Sequence, residues 1–333
     1  MSDRDWEAFA LLAINRHRVA PIAQQGLLRL RGAHPPAAVR DVMEKAVEAN
    51  AIQVLHQIAA LRAIRQAFDQ ANLPFTVLKG WPLAEQLFNN SNARQARDID
   101  LIVDRTSLPE AANLMNTLGY QPPEDHPEHH QMIGSDALID EINNLGFFHP
   151  ESGLSVELHW RSNQFKGWPE LFEGGAGSVR LDTAIGPINV PSEQHNLIYL
   201  SIHGSMHRWS RLKWLCDIAA LAERRGRDQL QDDISAARRT KAGRALELAL
   251  HLANRILGSP CPGTRYSQQS WLPAQCLGEI ARDEAVPGDI SHRLKFYAMM
   301  LRLAESPSQV AGIVRYRLWG KTRLGLQAHR LAA

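Results

Sequence analysis

The chain has 333 residues, of which 44% are hydrophobic and 22% charged, with a formal net charge of +2. That is the balance of a soluble globular protein long enough to bury a large core, and it is too nearly neutral to argue for a nucleic-acid partner. Early acids in MSDRDWEAFALLAINRHR predict neither a signal peptide nor an anchor, no stretch is long enough to span a bilayer, and three scattered cysteines without a C-x-x-C pair point to a reducing cytoplasm.

Residues 3–31 read as one amphipathic helix, ended by Gly32-Ala33-His34-Pro35-Pro36. A second runs from about Asp41 to Ala71, with Val42, Ala46, Ala49, Ile52, Leu55, Ile58, Leu61, Ile64 and Phe68 at spacings of three or four, and Asn72-Leu73-Pro74 stops it. His56 reads as structural or surface. Together, residues 1–72 form an N-terminal helical segment expected to pack against the sheet.

A core over residues 73–191 then alternates strand and helix. An apolar run from Phe75 ends in Lys79-Gly80, and Pro82 suits the first turn of a helix because it lacks the hydrogen that would be unsatisfied there. A strand, a glycine and a helix N-terminus in succession bring backbone amides to an anion, which reads as a phosphate cradle. Arg94 and Arg97 flank the loop that delivers Asp98-Ile99-Asp100 into a second apolar run, Leu101 to Val103. In a strand the two carboxylates share one face at about 6–7 Å while Ile99 points inward. A bare D-x-D also suits an exposed edge strand. Held in a cleft, however, the two charges raise each other's pKa unless a cation neutralises them, and oxygen ligands favour a hard ion such as magnesium.

Beyond it, Ser107-Leu108-Pro109-Glu110 fits a capping box for a helix to Leu118, with Gly119 as terminator. Residues 121–130, QPPEDHPEHH, gather His126, His129 and His130 beside three acids; they read as a solvated or substrate-rim loop, since the spacing matches no zinc pattern. A hairpin-like stretch over 139–149 leads to a strand in which Val156 and Leu158 face one way and Glu157 and His159 the other. Residues 174–191 read as a turn and two short strands.

From Ser192, a helix cap, residues 192–333 read as a C-terminal helical domain. One helix passes through Leu197, Leu200 and His203; another starts at Trp209-Ser210 and runs through Leu221. The polar positions of this helical pair are His203, His207, Arg211, Lys213 and Asp217, and the two histidines share a face only if the first helix continues through Gly204. Further helices are expected over 228–257 and 289–305, joined by the stretch from Pro260 to Pro273. Past Ala311 come Arg315, Arg317, Lys321, Arg323 and Arg330 with no acid, which read as solvated charge.

The run GWPLAEQLF followed by RDIDLIV resembles the antibiotic-modifying nucleotidyltransferases. LKG, DIDLIV and VELHW, with the later helical pair H...H.W.RLKWL.D, resemble more closely a bacterial family usually labelled uncharacterised nucleotidyltransferase, in the superfamily that includes DNA polymerase beta. The resemblance implies a mixed α/β (α+β) fold, a mixed sheet flanked by N- and C-terminal helices. It implies magnesium-dependent transfer of a nucleoside monophosphate from a nucleoside triphosphate to a hydroxyl of a small molecule or peptide; the weak net charge and the lack of a recognisable polymerase or RNA-binding module argue against template or transfer-RNA work. Asp98, Asp100 and Glu157 would hold two magnesium ions, with Glu157 a ligand or the base. Lys79, Gly80, Arg94, Arg97 and Lys213 would meet the nucleotide; His159, His203, His207 and Asp217 would lie at the acceptor or behind the acids. Lys79-Gly80-Trp81 departs from the superfamily's Gly-Ser or Gly-Gly turn. Two other readings stay open on the residues: a catalytically silent fold that binds a nucleotide or partner, and a metal phosphohydrolase or phosphotransferase using His126, His129 and His130.

Overall fold

The computed structural model describes residues 2–30, 32, 34–122, 139–140, 142–267, 269–282 and 290–320. His126, His129, His130, Lys321, Arg323 and Arg330 lie outside them. The architecture is mixed α and β. None of the described helices is long and apolar enough to cross a membrane.

The expected first helix is two. Helix α1 spans Asp3–Leu11 under a Ser2–Asp5 capping box, passes into a π-turn at Leu12–Arg16, and stops before α2, Ala20–Arg29. The cause is Pro21, which carries no N–H for a continuous ladder, and the chain turns at Arg18, whose φ is 55°. Helix α3, Ala37–Gln70, follows. Its buried face is Val39, Met43, Asn50, Val54, Gln57, Leu61, Ile64 and Phe68, so the expected stripe is right only towards its C-terminal end. Val42, Ile52 and Leu55 are 47%, 55% and 63% exposed. Asn50 and Gln57 take inward positions because each hydrogen-bonds the loop before the D-x-D strand: Asn50 Nδ2 donates to Asn92 Oδ1 at 2.6 Å, and Gln57 Nε2 to the Ala96 carbonyl at 3.3 Å.

Strand β1, Phe75–Val77, leads through Lys79-Gly80 into α4, Trp81–Phe88. Strand β2 is Asp98–Val103, and α5 is Leu108–Thr117, closed by Gly119 at φ 87°. The expected capping box is absent: a 3-10 turn at Arg105–Ser107 leaves Ser107 in a helical conformation with no capping bond. Strands β3, Asn144–His149, and β4, Leu154–His159, form an antiparallel hairpin. The sheet order is β1-β2-β4-β3, with β2 and β4 parallel and β1 antiparallel to β2. A hairpin of β5, Ser178–Leu181, and β6, Ile188–Pro191, lies against β1, where Thr76 and Ser178 share a 2.8 Å hydroxyl bond.

Ser192 caps α6, Glu193–Met206, which does continue through Gly204. The next helix, α7, begins at Leu212 rather than Trp209 and runs to Arg239, kinked at Gly226. Trp209 instead adopts φ 57° and packs back fully buried over Gly204, where a Cβ would lie 2.5 Å from its ring. The expected 228–257 helix is interrupted at Lys241, φ 62°, before α8, Gly243–Leu257. Helix α9, Trp271–Ile280, falls partly in the expected connection; α10, Ile290–Leu303, and α11, Pro307–Arg315, follow, and the described chain ends in a π-turn at Tyr316–Gly320.

Alternation along β2 and β4 divides the sheet. Ile99, Leu101, Val103, Val156 and Leu158 pack with Ile64 and Phe68 of α3 and with α5. Ile102, on the same side as Asp98 and Asp100, joins the cluster formed by α6 to α8. The acids therefore face the C-terminal helices across the sheet. Leu101 is fully buried between strands and α3, so Leu101→Ala should cost about 3 kcal/mol and lower the urea midpoint with an unchanged slope.

Candidate active site

Parallel pairing sets Asp100 directly beside Glu157 and Ile102 beside His159. Because β4 carries its polar side chains at alternate positions, His159 reaches back over both acids: its Nε2 lies 3.2 Å from Asp100 Oδ1 and 3.2 Å from Glu157 Oε2. Asp100, Glu157 and His159 each offer one ligand atom, all within 4.8 Å of one another. Asp98 precedes them on the same face, with partial exposure and outside that trio.

Lys79 is drawn in as well. The β1 pairing extends one residue through the Leu78 N–H to the Asp100 carbonyl, 3.0 Å, and the Lys79 ammonium returns to Asp100 Oδ1 at 3.0 Å. Gly80, φ 81°, allows the chain to turn into α4 immediately afterwards. Burial opposes the Lys79 charge, but Asp100, with Asp98 and Glu157 beyond it, holds the amine above its ordinary range. Asp100, 1% exposed, is likewise disfavoured by burial, yet Lys79 and then His159 keep it below the usual carboxylate range. His159 is raised because its bonds to the two acids outweigh its burial. Glu157 is lowered chiefly by the His159 bond and also accepts from Asn144 Nδ2 at 2.9 Å. Asp98 moves the other way, raised by burial and by Asp100.

Several expected contacts are redirected. Arg94, expected at the nucleotide, is 3% exposed, and its Nε donates to both Asp217 oxygens at 3.0 Å. Asp217, expected at the acceptor or behind the acids, is 1% exposed and is committed to that pair. Lys213, expected to bring a charge to phosphate, donates to the Gln95 carbonyl at 3.3 Å, and burial, with Arg94 nearby, pushes its pKa down to about 6. Arg97 is exposed beside Asp98. The rings of His203 and His207 lie 4.6 Å apart, and His207 stacks on Trp214 at 4.9 Å. Burial and then the Lys79 charge keep His203 neutral, well below its ordinary pKa. Trp81 and Trp160, 3% and 6% exposed, are core residues.

The N-terminal segment also reaches the site, a contact that no local pattern predicts. Lys213 N donates to the His17 carbonyl at 3.3 Å, Leu212 N to His17 Nδ1 at 3.4 Å, and Ala20 N to Gln95 Oε1 at 3.1 Å. Tyr199 is the buried phenol beside Lys79, and a tyrosine amid the apolar pattern of α6 carries no signal of that neighbour.

Residues 2–258 match the model of a family described as uncharacterised nucleotidyltransferase, which makes the protein a nucleotidyltransferase. The chain belongs to that family. Among solved structures, the solution structure of the antibiotic-resistance factor ANT(2'')-Ia is similar at 17% identity over 59% of this chain and 97% of that one, with a TM-score of 0.37. No protein of curated function matches the sequence.

Two tests probe this scaffold. Removing one partner from the buried Arg94–Asp217 pair strands the other charge, so Asp217→Ala should destabilise the fold by about 3–5 kcal/mol in urea titration. His17, 8% exposed, accepts a bond at Nδ1 and is held down to about 4 by burial, with Arg16 adding to it. It is neutral when folded, whereas the unfolded chain takes up a proton near its ordinary value of 6.5. Stability should therefore fall as pH drops through this window, by about 2 kcal/mol from pH 7 to pH 5, and His17→Asn should flatten that slope in chemical denaturation.

Proposed function

We propose that the protein transfers a nucleoside monophosphate from a nucleoside triphosphate to a hydroxyl of a small molecule or a peptide side chain, with magnesium. The observation that carries this reading is the convergence of Asp100, Glu157 and His159 on adjacent parallel strands, with Asp98 on the same face, in a member of a nucleotidyltransferase family. The donor chemistry fits a divalent ion: carboxylates dominate, and a group of acids this closely gathered favours a cation. Magnesium held by Asp98, Asp100 and Glu157 would neutralise triphosphate charge and acidify the acceptor hydroxyl.

The remaining work falls to the chain. Glu157, partly exposed and oriented by Asn144 and His159, either completes that ligand set or accepts the hydroxyl proton. The acceptor oxygen bonds to the α-phosphorus as the bond to the bridging oxygen breaks, and pyrophosphate leaves with that electron pair. Lys79 and His159 fix Asp100 between them, so the acid does not swing away when the nucleotide enters. The amides after Gly80, at the start of α4, would offer donors to a phosphate beside the acids.

Calorimetric titration of ATP, GTP, CTP and UTP, each with magnesium, checks the reading. The wild type should bind one of them, and Asp98→Ala/Asp100→Ala should weaken that binding at least tenfold. A double variant that binds as the wild type does would remove the acids from the site. A folded wild type that takes none of the four would overturn the reading.

A further inference from the structure

Most cations around the cleft are already committed: Lys79 to Asp100, Arg94 to Asp217, and Lys213 to a backbone carbonyl in a neutralising environment. Three are not. Arg18, Arg97 and Arg211 make no ion pair among the described residues. They come from three separate parts of the chain: the break between α1 and α2, the loop before β2, and the residue that precedes α7.

Hydrogen bonds bring these parts together. His17 is bonded through its carbonyl and its ring to the first two amides of α7, directly after Arg211. Ala20 N is bonded to the Gln95 side chain, two residues before Arg97. Arg18 is thus pinned on both sides, and it keeps a left-handed backbone that a residue with a Cβ adopts only at some cost. Its Nε is buried and has no hydrogen-bond partner among the described residues. Arg211 lies over the Trp214 ring, 5.6 Å from its centroid, which restrains the guanidinium. Arg18 and Arg211 both feel the charges of Arg97 and Asp98.

We propose that Arg18, Arg97 and Arg211 form the receptor for a polyphosphate group, completed by the N-terminal segment and lying beside Asp98. Resting on the nucleotidyl-transfer reading, this deepens it: the polyphosphate is the tail of the donor triphosphate, gripped by guanidinium groups where the Lys79-Gly80-Trp81 turn offers no hydroxyl. Planar guanidinium forks match phosphate oxygens in pairs. Three like charges gathered around one carboxylate are unfavourable by themselves, and burial together with Arg211 and Arg97 pushes Arg18 down to about 10. An anion of several charges relieves that repulsion, and Arg18 remains a cation at neutral pH.

The test is calorimetric titration of sodium tripolyphosphate in the presence of EDTA, so that metal at the acids contributes nothing. Wild-type protein should bind it, with affinity falling as salt rises from 50 to 200 mM. Arg18→Gln, Arg211→Gln and Arg97→Gln should each weaken binding at least tenfold, whereas Arg180→Gln, an exposed arginine on the β5–β6 hairpin, should not. Thermal melts check folding, and the exposed Arg97 provides the variant least able to disturb it. Arg18→Lys should recover part of the loss. Absence of tripolyphosphate binding to folded wild type, or equal binding by the three glutamine variants, overturns the proposal. Magnesium–nucleotide titrations of the same variants separate it from the reading beneath it. Nucleotide binding that needs Asp100 and ignores all three arginines sinks this receptor and leaves the transferase. Tripolyphosphate binding through the arginines without binding of any nucleotide supports the receptor and sinks the transferase.

Discussion

A carboxylate with 1% exposure sits at the centre of this sheet, and the organisation around it follows from the expense of keeping it charged. An unpaired buried carboxylate would cost several kcal/mol. Asp100 is matched by Lys79 from the β1–α4 turn and by His159 from the end of β4, so three strands meet through side chains as well as through their ladders. The turn must release the chain as soon as Lys79 has been placed, which accounts for a positive-φ glycine at position 80. Glu157, opposite Asp100, shares His159 and is steadied by Asn144. The result is a set of acids whose geometry is fixed by bonds among themselves and their immediate neighbours.

The same economy of charge extends outward. Arg94 and Asp217 join the loop before β2 to α7, and buried Glu247 gathers Arg238 and Arg265 within the C-terminal helices. Each pair crosses between elements and gives a buried carboxylate its counter-charge. Asn50, Gln57 and Ala20 hold the 92–97 loop from the side of the N-terminal helices, with neutral hydrogen bonds instead of charge. The loop that carries Arg94 and Arg97 is therefore held from both ends of the chain, although it lies within the central sheet region.

Much of the sheet was legible. Short apolar runs bounded by charge marked β2 and β4, and alternation placed Asp98 with Asp100 and Glu157 with His159, because strand period is a local property of the backbone. Turn and cap signals served where the chemistry was local: Ser192 caps α6 and Gly119 ends α5. They failed where packing intervened. Ser107 had the right spacing for a cap, but a 3-10 turn preceded it. Trp209 resembled a helix start, but its indole found a fully buried place over Gly204. In α3 the apolar stripe misled because two inward positions are polar, and their partners lie in a loop some forty residues away.

The sequence by itself determined the family, the mixed α and β character, and the pairing of acids on two strands, since each rests on residue types at short spacing. Only the tertiary structure decided how the cations are distributed. Sequence proximity made Arg94 and Lys213 look available to a ligand, yet a buried charge goes to whichever partner the packed elements bring within about 3 Å, and that partner was Asp217 for one and a backbone carbonyl for the other. By the same reasoning Arg18 reached the cleft from a helix break more than seventy residues before the acids, through contacts that no local pattern encodes.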